Sequence, residues 1–364
     1  MKISFIHTAD LHLGKQFKFK HMRSPYGDFA RESLFSIFGK MINTAKKNKI
    51  DFLILSGDIF DTPQIGMQDL DRFVALLSRI PDTEVIILPG NHDFYQKYAL
   101  YGLVDFPKNV HVFKNDSLEE FSFPEKKTRI FGLAWTKDTY REFPFSGRVD
   151  LREEDNNIIM LHGDATHSSS EHMPINISDF DYFDYVALGH IHQHQFLTKR
   201  IAYCGAPQPF SFKDSGNFGM IVGQLEKHRL ETHFIVTQTQ KFITLDIDVT
   251  PDMTIDDIKE SCLETAGETN YDNNLYRFVL TGYAKANMNL NLLDDILADH
   301  FYYVETDTSR IQPDWDIEKI LASNKDNVIG HFIKTIGTDP KDPVSKKALY
   351  YGLEGLMMQN GGET

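Results

Sequence analysis

Five stretches of this 364-residue chain close an apolar run with residues able to bind a metal or move a proton. They are Asp10-x-His12, then Gly57-Asp58 with Phe60-Asp61, then Gly90-Asn91-His92-Asp93, then His162-Gly163, then Gly189-His190-x-His192. Each alone says little. A lone D-x-H or H-x-H is more often surface chemistry than a ligand set. Five in succession, each behind a candidate strand, point to one crevice, because α/β folds bind ligands outside the carboxyl ends of their strands.

Asp10, His12, Asp58, Asn91, His162, His190 and His192 make seven candidate ligands, too many for one closed four-coordinate site. With Asp58 bridging through both oxygens, each of two ions receives about four protein ligands and keeps open positions. Mixed oxygen and nitrogen donors without thiolate suit manganese, iron or zinc. Such a pair can clamp a phosphoryl group, activate a bridging water and stabilise both attacking and leaving oxygens. His92 stands beside Asn91, which already takes the ligand direction. It is therefore expected as a non-ligand that protonates the leaving group or stabilises the transition state, with Asp93 orienting its imidazole. The glycines before Asp58, Asn91 and His190 are expected to supply φ freedom where each ligand leaves its strand. His194, Gln193 and Gln195 read as surface residues. His167 and His172, in "THSSSEH", read as a polar loop, with a place near the substrate as the minor alternative.

The elements that position these residues are short. Runs such as "KISFIHTAD", "IDFLILSGD", "EVIILPGNHD", "NIIMLHGD" and "YVALGHIH", bounded by Gly, Pro, Asn and Asp, read as buried strands. Leu34, Phe35, Phe38, Met41, Ile42 and Ala45 share one helical face, as do Leu70, Phe73, Val74 and Leu77. Strand–helix–strand order at the start implies parallel pairing, while the later strands are expected to be antiparallel. The fold class is α/β, a layered sandwich of mixed sheets flanked by helices, spanning residues 1–237. Residues 241–310 read as a small β-α-β-α-β domain, with Thr254 and Asp257 starting a helix and Gly267 stopping it. Residues 311–364 carry two amphipathic helices split by "GTDPKDP", which either pack back on the body or dock on a partner's helices.

A net charge of −14 excludes coating of nucleic acid by bulk electrostatics, though not local contacts. "GKQFKFKHMR" places Lys15, Lys18, Lys20 and Arg23 among phenylalanines directly after the first motif. It is either a solvated loop or a phosphate-backbone contact. The two cysteines, Cys204 and Cys262, read as buried free thiols. No apolar run reaches membrane-spanning length, and "MKISFIHTAD" lacks a signal peptide's pattern, so a cytoplasmic protein is expected. There is no G-x-x-x-x-G-K-[ST] motif, so any ATP-driven step would come from a separate subunit.

"DLHLGK", "GDIFD", "GNHD", "LHGD" and "GHIH", in this order, resemble the five signature motifs of the calcineurin-like metallophosphoesterases. The "DLHLG" and "GDIFD" versions, with "YCGAPQPFSF" after "GHIH", resemble the DNA-repair exonuclease branch of SbcD type, with YhaO-like relatives; the match covers about residues 1–220. That resemblance implies a first ion on Asp10, His12, Asp58 and His192. It implies a second on Asp58, Asn91, His162 and His190, with His92 as the catalytic non-ligand. It further implies a DNA-bordering capping domain, a tail that binds an SMC-like ATPase, and a homodimer. The chain departs from many family nucleases at Phe94-Tyr95, where a small residue is usual. That bulk either stacks on a base or narrows entry. The expected function is a manganese-dependent DNA exonuclease subunit acting in repair. The alternatives are a phosphodiesterase or phosphatase for small molecules, or an assembly subunit that recruits the ATPase.

Overall fold

The computed structural model describes residues 1–17, 26–62, 65–97, 100–267, 274–285 and 288–360. The chain forms two compact units, Met1–Phe242 and Ile243–Thr364. The first begins β1 (Ile3–Thr8), α1 (Tyr26–Asn48), β2 (Phe52–Ser56), α2 (Met67–Leu77), β3 (Glu84–Leu88) and β4 (Val110–Val112). It continues with β5 (Glu119–Phe123), β6 (Thr128–Gly132), β7 (Asn156–His162) and β8 (Tyr185–Gly189). The last strands are β9 (Gln195–Phe196), β10 (Ile201–Tyr203), β11 (Gly219–Glu226) and β12 (Arg229–Val236).

Two six-stranded sheets result, ordered β12-β11-β1-β2-β3-β4 and β5-β6-β7-β8-β10-β9. In the first, β1 to β4 are parallel, and β11 runs antiparallel to both β1 and β12. The second departs from the sequence expectation. Its β6, β7, β8 and β10 are parallel, and only the edge strands β5 and β9 are antiparallel. Parallel pairing needs a crossover of a dozen or more residues. Segments 133–155 and 163–184 supply that length without an α-helix, so the helical signal that marks parallel order early in the chain is missing here.

Alternation along the strands sorts the core into layers. Phe5, Phe52, Ile54, Ile86 and Leu88 of the first sheet bury against Ile130, Ile158, Met160, Tyr185 and Ala187 of the second. The first sheet's other face carries Ile6, Leu53, Leu55, Val85 and Ile87, covered by the predicted faces of α1 and α2. Phe38 and Phe73 stack at 5.2 Å to join those helices. The second sheet's outer face is covered by the two irregular crossovers, through Trp135, Met173, Ile175 and Phe180. All the candidate strand-end ligands therefore emerge at one edge of a sandwich covered on both faces.

The second unit runs β13 (Phe242–Val249), α3 (Ile255–Ala266), β14 (Leu275–Lys285), α4 (Leu292–Leu297), β15 (Tyr303–Asp314), α5 (Ile317–Ser323), α6 (Val328–Ile336) and α7 (Pro343–Asn360). Its sheet order is β13-β14-β15, with β14 and β15 parallel. Thr254 caps α3 reciprocally: its Oγ1 accepts the Asp257 N–H at 3.2 Å, and Asp257 Oδ2 accepts the Thr254 N–H at 2.8 Å. Helices α5 to α7 have a small core of their own, built from Ile317, Ile329, Ile333, Leu349 and Leu353. Cys204 and Cys262 are both free and buried. Among the described residues, no helix is long and apolar enough to cross a membrane.

Candidate metal centre

The turns that carry the candidate ligands are held in backbone conformations that side chains rarely adopt. Asp10 (φ 52°), His12 (φ 43°), Asp58 (φ 51°) and His190 (φ 102°) all have positive φ, a strain that persists only where the surroundings over-determine it. Backbone hydrogen bonds supply that determination. The Asp10 N–H donates to the Gly57 carbonyl at 2.9 Å, His12 to Asp58 at 3.0 Å and Leu13 to Ile59 at 2.9 Å. The loops after β1 and β2 are thus zipped together.

Two of the three motif glycines do a different job from the expected one. Gly57 has φ 93°, but Gly90 and Gly189 are not in the left-handed region. They are glycines because there is no room. A Cβ on Gly90 would overlap Asp58 Oδ1 and its backbone N, and one on Gly189 would overlap the Ser56 carbonyl. Strain sits on the ligands themselves, and closeness falls to the glycines.

Asp10, His12, Asp58 and His162 are buried, each at 2% exposure or less. Ligating atoms of Asp10, His12 and His192 lie within 4.8 Å of one another, as do those of Asp10, Asp58 and His162. His12 Nε2 faces His192 Nε2 at 3.3 Å and Asp58 Oδ2 at 3.8 Å. Two nitrogens each about 2.0–2.1 Å from a tetrahedral ion stand roughly that same distance apart. His162 donates from Nδ1 to the Ser56 carbonyl at 2.9 Å, which aims Nε2 at Asn91 Oδ1 (3.1 Å) and Asp58 Oδ1 (3.4 Å). A carbonyl holding the far nitrogen is the usual support of a ligating imidazole. The His190 ring lies 5.4 Å from that of His162, and its backbone N–H meets both Asp10 oxygens at 3.2 Å. All seven candidate ligands thus come together at the strand ends.

Electrostatics fit a cation. Burial raises the Asp10 carboxyl to about 6. Burial also lowers His190 and His192 to about 3, with His162 and His12 respectively adding to the effect, which leaves each imidazole neutral with a lone pair to give. For Asp58, burial works upward, but His162 and His12 outweigh it and hold the carboxyl well below its usual range. Burial works downward on His162, and the Asp58 carboxylate reverses it to about 9. Two divalent ions would replace these mutual compensations.

His92 sits at the rim, its side chain 42% exposed. Its backbone N–H donates to Asp58 Oδ1 at 2.8 Å, and its Nδ1 lies 3.0 Å from Asp61 Oδ1. That corrects the sequence expectation that Asp93 orients this imidazole. Asp93 is buried and instead accepts the N–H groups of Ile59 (2.7 Å), Phe60 (3.1 Å) and Gly90 (2.7 Å) and the Tyr101 hydroxyl (2.6 Å). Four donors leave it no role at the ring; it ties the loops after β2 and β3 together. Asp61 stood in view at the end of "GDIFD", but spacing alone does not say which of two nearby carboxylates an imidazole meets.

Two supports have no role that the sequence assigns. Phe210 meets the rings of His12 and His192 edge-on at 5.1 Å each. Trp135 Nε1–H donates to the His162 carbonyl at 2.7 Å. Trp135 ends an apolar run with no motif to mark it, and Phe210 lies in "YCGAPQPFSF", whose pattern does not say which residue meets the imidazoles. Lys15 Nζ lies 3.5 Å from Asp61 Oδ2 and 5.4 Å from the Phe210 ring centroid, at the centre's edge. Lys18, Lys20 and Arg23 lie outside the described residues. Phe94 and Tyr95 are half-buried against the cores rather than presented as a stacking platform. His194 is also half-buried, stacked on Phe234 at 3.9 Å, where the sequence suggested a surface residue. His172 lies against the His190 ring at 4.8 Å.

Comparison with known proteins agrees with the motifs. A family model described as calcineurin-like phosphoesterase matches residues 3–194. The chain is similar to the metallophosphoesterase YhaO of Bacillus subtilis, 29% identical over 230 residues, covering 60% of this chain and 56% of that one. It is 25% identical over 221 residues to the DNA double-strand break repair protein Mre11 of Saccharolobus solfataricus, covering 56% and 54%. It is 24% identical over 265 residues to the SbcD component of the nuclease SbcCD of Escherichia coli, covering 58% and 62%. In each case the matched span is less than two thirds of the relative's length.

Proposed function

The chain belongs to the calcineurin-like phosphoesterase family, and on that premise we propose that it is a two-metal, manganese-dependent DNA exonuclease subunit. The observation that carries the reading is a largely buried Asp/His cluster with an exposed imidazole, His92, at its rim, pinned by Asp61. Asp10, His12, Asp58 and His192 would hold the first ion, and Asp58, Asn91, His162 and His190 the second. Bound there, the ions supply Lewis-acid polarisation of the phosphoryl group and an activated water. The chain's own part is positional. Asp61 occupies His92 Nδ1, so Nε2 is the nitrogen left to give a proton to the departing sugar oxygen. Lys15 adds positive charge at the rim, where a phosphate would approach.

Two features favour a polymer over a small ester. The relatives include proteins named for nuclease and double-strand break repair work. The second unit also supplies a β-α-β-α-β body and three further helices, neither of which a small ester needs. We read them as a DNA-bordering cap and a docking segment for an SMC-like ATPase. Deleting residues 344–364 should remove ATPase binding and leave intrinsic cleavage; binding that persists would sink the docking assignment.

The direct test is cleavage of end-labelled linear DNA with and without Mn²⁺ across a salt series. Cleavage should require the metal, and affinity should fall with a log–log slope of roughly −0.7 to −0.9 per phosphate contacted. Salt-insensitive hydrolysis of a small aryl phosphodiester, with DNA left intact, would move the substrate to the small-ester class.

A further inference from the structure

We propose that His172 is a substrate-contacting residue that binds the phosphate flanking the scissile one, on the His190 side of the centre. The inference rests on the nucleic-acid reading above. His172 sits in the crossover between β7 and β8. Its ring packs on the His190 ring at 4.8 Å and 36° and is otherwise exposed. No hydrogen bond among the described residues engages either of its ring nitrogens. His167, in the same crossover, differs: its Nδ1 is taken by Asp164 at 3.2 Å.

An exposed, unpaired imidazole usually belongs to a pliable loop. The backbone beneath His172 is the opposite. Asp164 N–H donates to the His172 carbonyl at 2.9 Å and to that of Met173 at 3.1 Å. Tyr140 N–H donates to Glu171 at 3.0 Å, and Met173 N–H returns to the Tyr140 carbonyl at 2.7 Å. Met173 is fully buried and held at φ 51°, and Gly163 is packed so closely that a Cβ there would overlap the Met173 carbonyl. Strain fixed by this many bonds is the pattern of a residue kept in place for use. The segment presents His172 as a rigid donor.

Its position defines what it meets. His92 neighbours His12 at 4.8 Å, and His172 neighbours His190 at 4.8 Å, so the two exposed imidazoles flank different ligands of the centre. The His172 ring, tilted at 36° beside a candidate ligand ring, is in place to meet substrate atoms next to those the centre would hold. The atoms within its reach therefore belong to a part of the substrate beyond the phosphoryl group on the ions. In a nucleic acid strand the next charged acceptor is a neighbouring phosphate, and an N–H of imidazole is a donor to it.

The experiment uses the full chain with Mn²⁺ and compares wild type, His172→Ala and His172→Gln on a labelled oligonucleotide and on bis(p-nitrophenyl) phosphate, which has no flanking phosphate. His172→Ala should raise KM for the oligonucleotide roughly five- to tenfold, the effect of one lost hydrogen bond, with kcat within about twofold. The loss should be several-fold smaller on the aryl ester, and His172→Gln, which keeps an N–H, should recover part of the affinity. Bound metal should match wild type in both variants. Equal losses on the two esters, or lost metal, would make His172 a support of His190 and overturn the proposal. An unchanged KM for an oligonucleotide that wild type cleaves overturns it alone. Wild type that hydrolyses only the aryl ester overturns the nucleic-acid reading together with this one.

Discussion

Replacing His92 by alanine is expected to lower metal-dependent phosphodiester cleavage roughly 10²- to 10⁴-fold, the range of a positioned acid or base, while leaving metal content intact. The separation of these two outcomes follows from the geometry. What His92 gives the metal cluster is its backbone N–H, which donates to Asp58 Oδ1 at 2.8 Å and survives the substitution. What it loses is an imidazole that is 42% exposed and makes one carboxylate contact. Exposure also keeps the stability cost small, since surface substitutions usually shift stability by about 0.5 kcal/mol or less. Asp61→Asn should cost less, on the order of tenfold, because Oδ1 can still accept from Nδ1 while the charge is gone. Metal analysis beside single-turnover cleavage tests both. If His92→Ala loses its metal in proportion to its activity, His92 is a structural part of the centre and the assignment of a proton-donating role fails.

The second large effect is Gly90→Ala, one added methyl group. Its Cβ would overlap Asp58 Oδ1 and backbone N and lie 2.9 Å from His162 Nε2. These are two candidate ligands of the same ion, and neither is the free end of a flexible chain. Alanine normally stabilises by about 0.4–1 kcal/mol through the unfolded state, but overpacking of this kind costs about 1–3 kcal/mol. The clash should win. The variant is expected to melt lower and to bind metal at least about tenfold more weakly. A Gly90→Ala protein with wild-type melting and full metal occupancy would show that Asp58 and His162 can part without loss. Gly57→Ala should be worse, since it adds left-handed backbone at φ 93° to an overlap with the His162 ring.

Much of this site is legible in the sequence because its candidate ligands close strands. Asp10, Asp58, Asn91, His162 and His190 all lie within three residues after an apolar run, or on its final residue. A parallel sheet delivers such positions to one edge whatever the loop details. The helical faces of α1 and α2 are equally plain, because period 3.6 over long segments is a strong signal. The second sheet's strand direction is not. Its crossovers fold as irregular segments, and nothing in their periodicity distinguishes a crossover from a long antiparallel connection.

The supports are the least legible. Asp61 and Asp93 are the same residue type, each near His92 in sequence or in motif, and adjacency favours Asp93. In space Asp93 turns inward to four donors, while Asp61 returns from the preceding strand end to meet the ring. His172 looks like any histidine in a serine-rich loop until the backbone bonds of Asp164, Tyr140 and Met173 place it on His190.

Residue types and strand-end spacing by themselves pointed to the Asp/His cluster at one edge and determined the α/β layering, since these depend on local pattern and on covalent order. Tertiary structure alone decided which carboxylate holds His92, why Gly90 and Gly189 must lack a side chain, and which histidine of the crossover between β7 and β8 lies against His190. Those are questions of distance between segments far apart in the chain, and no local pattern carries such a distance.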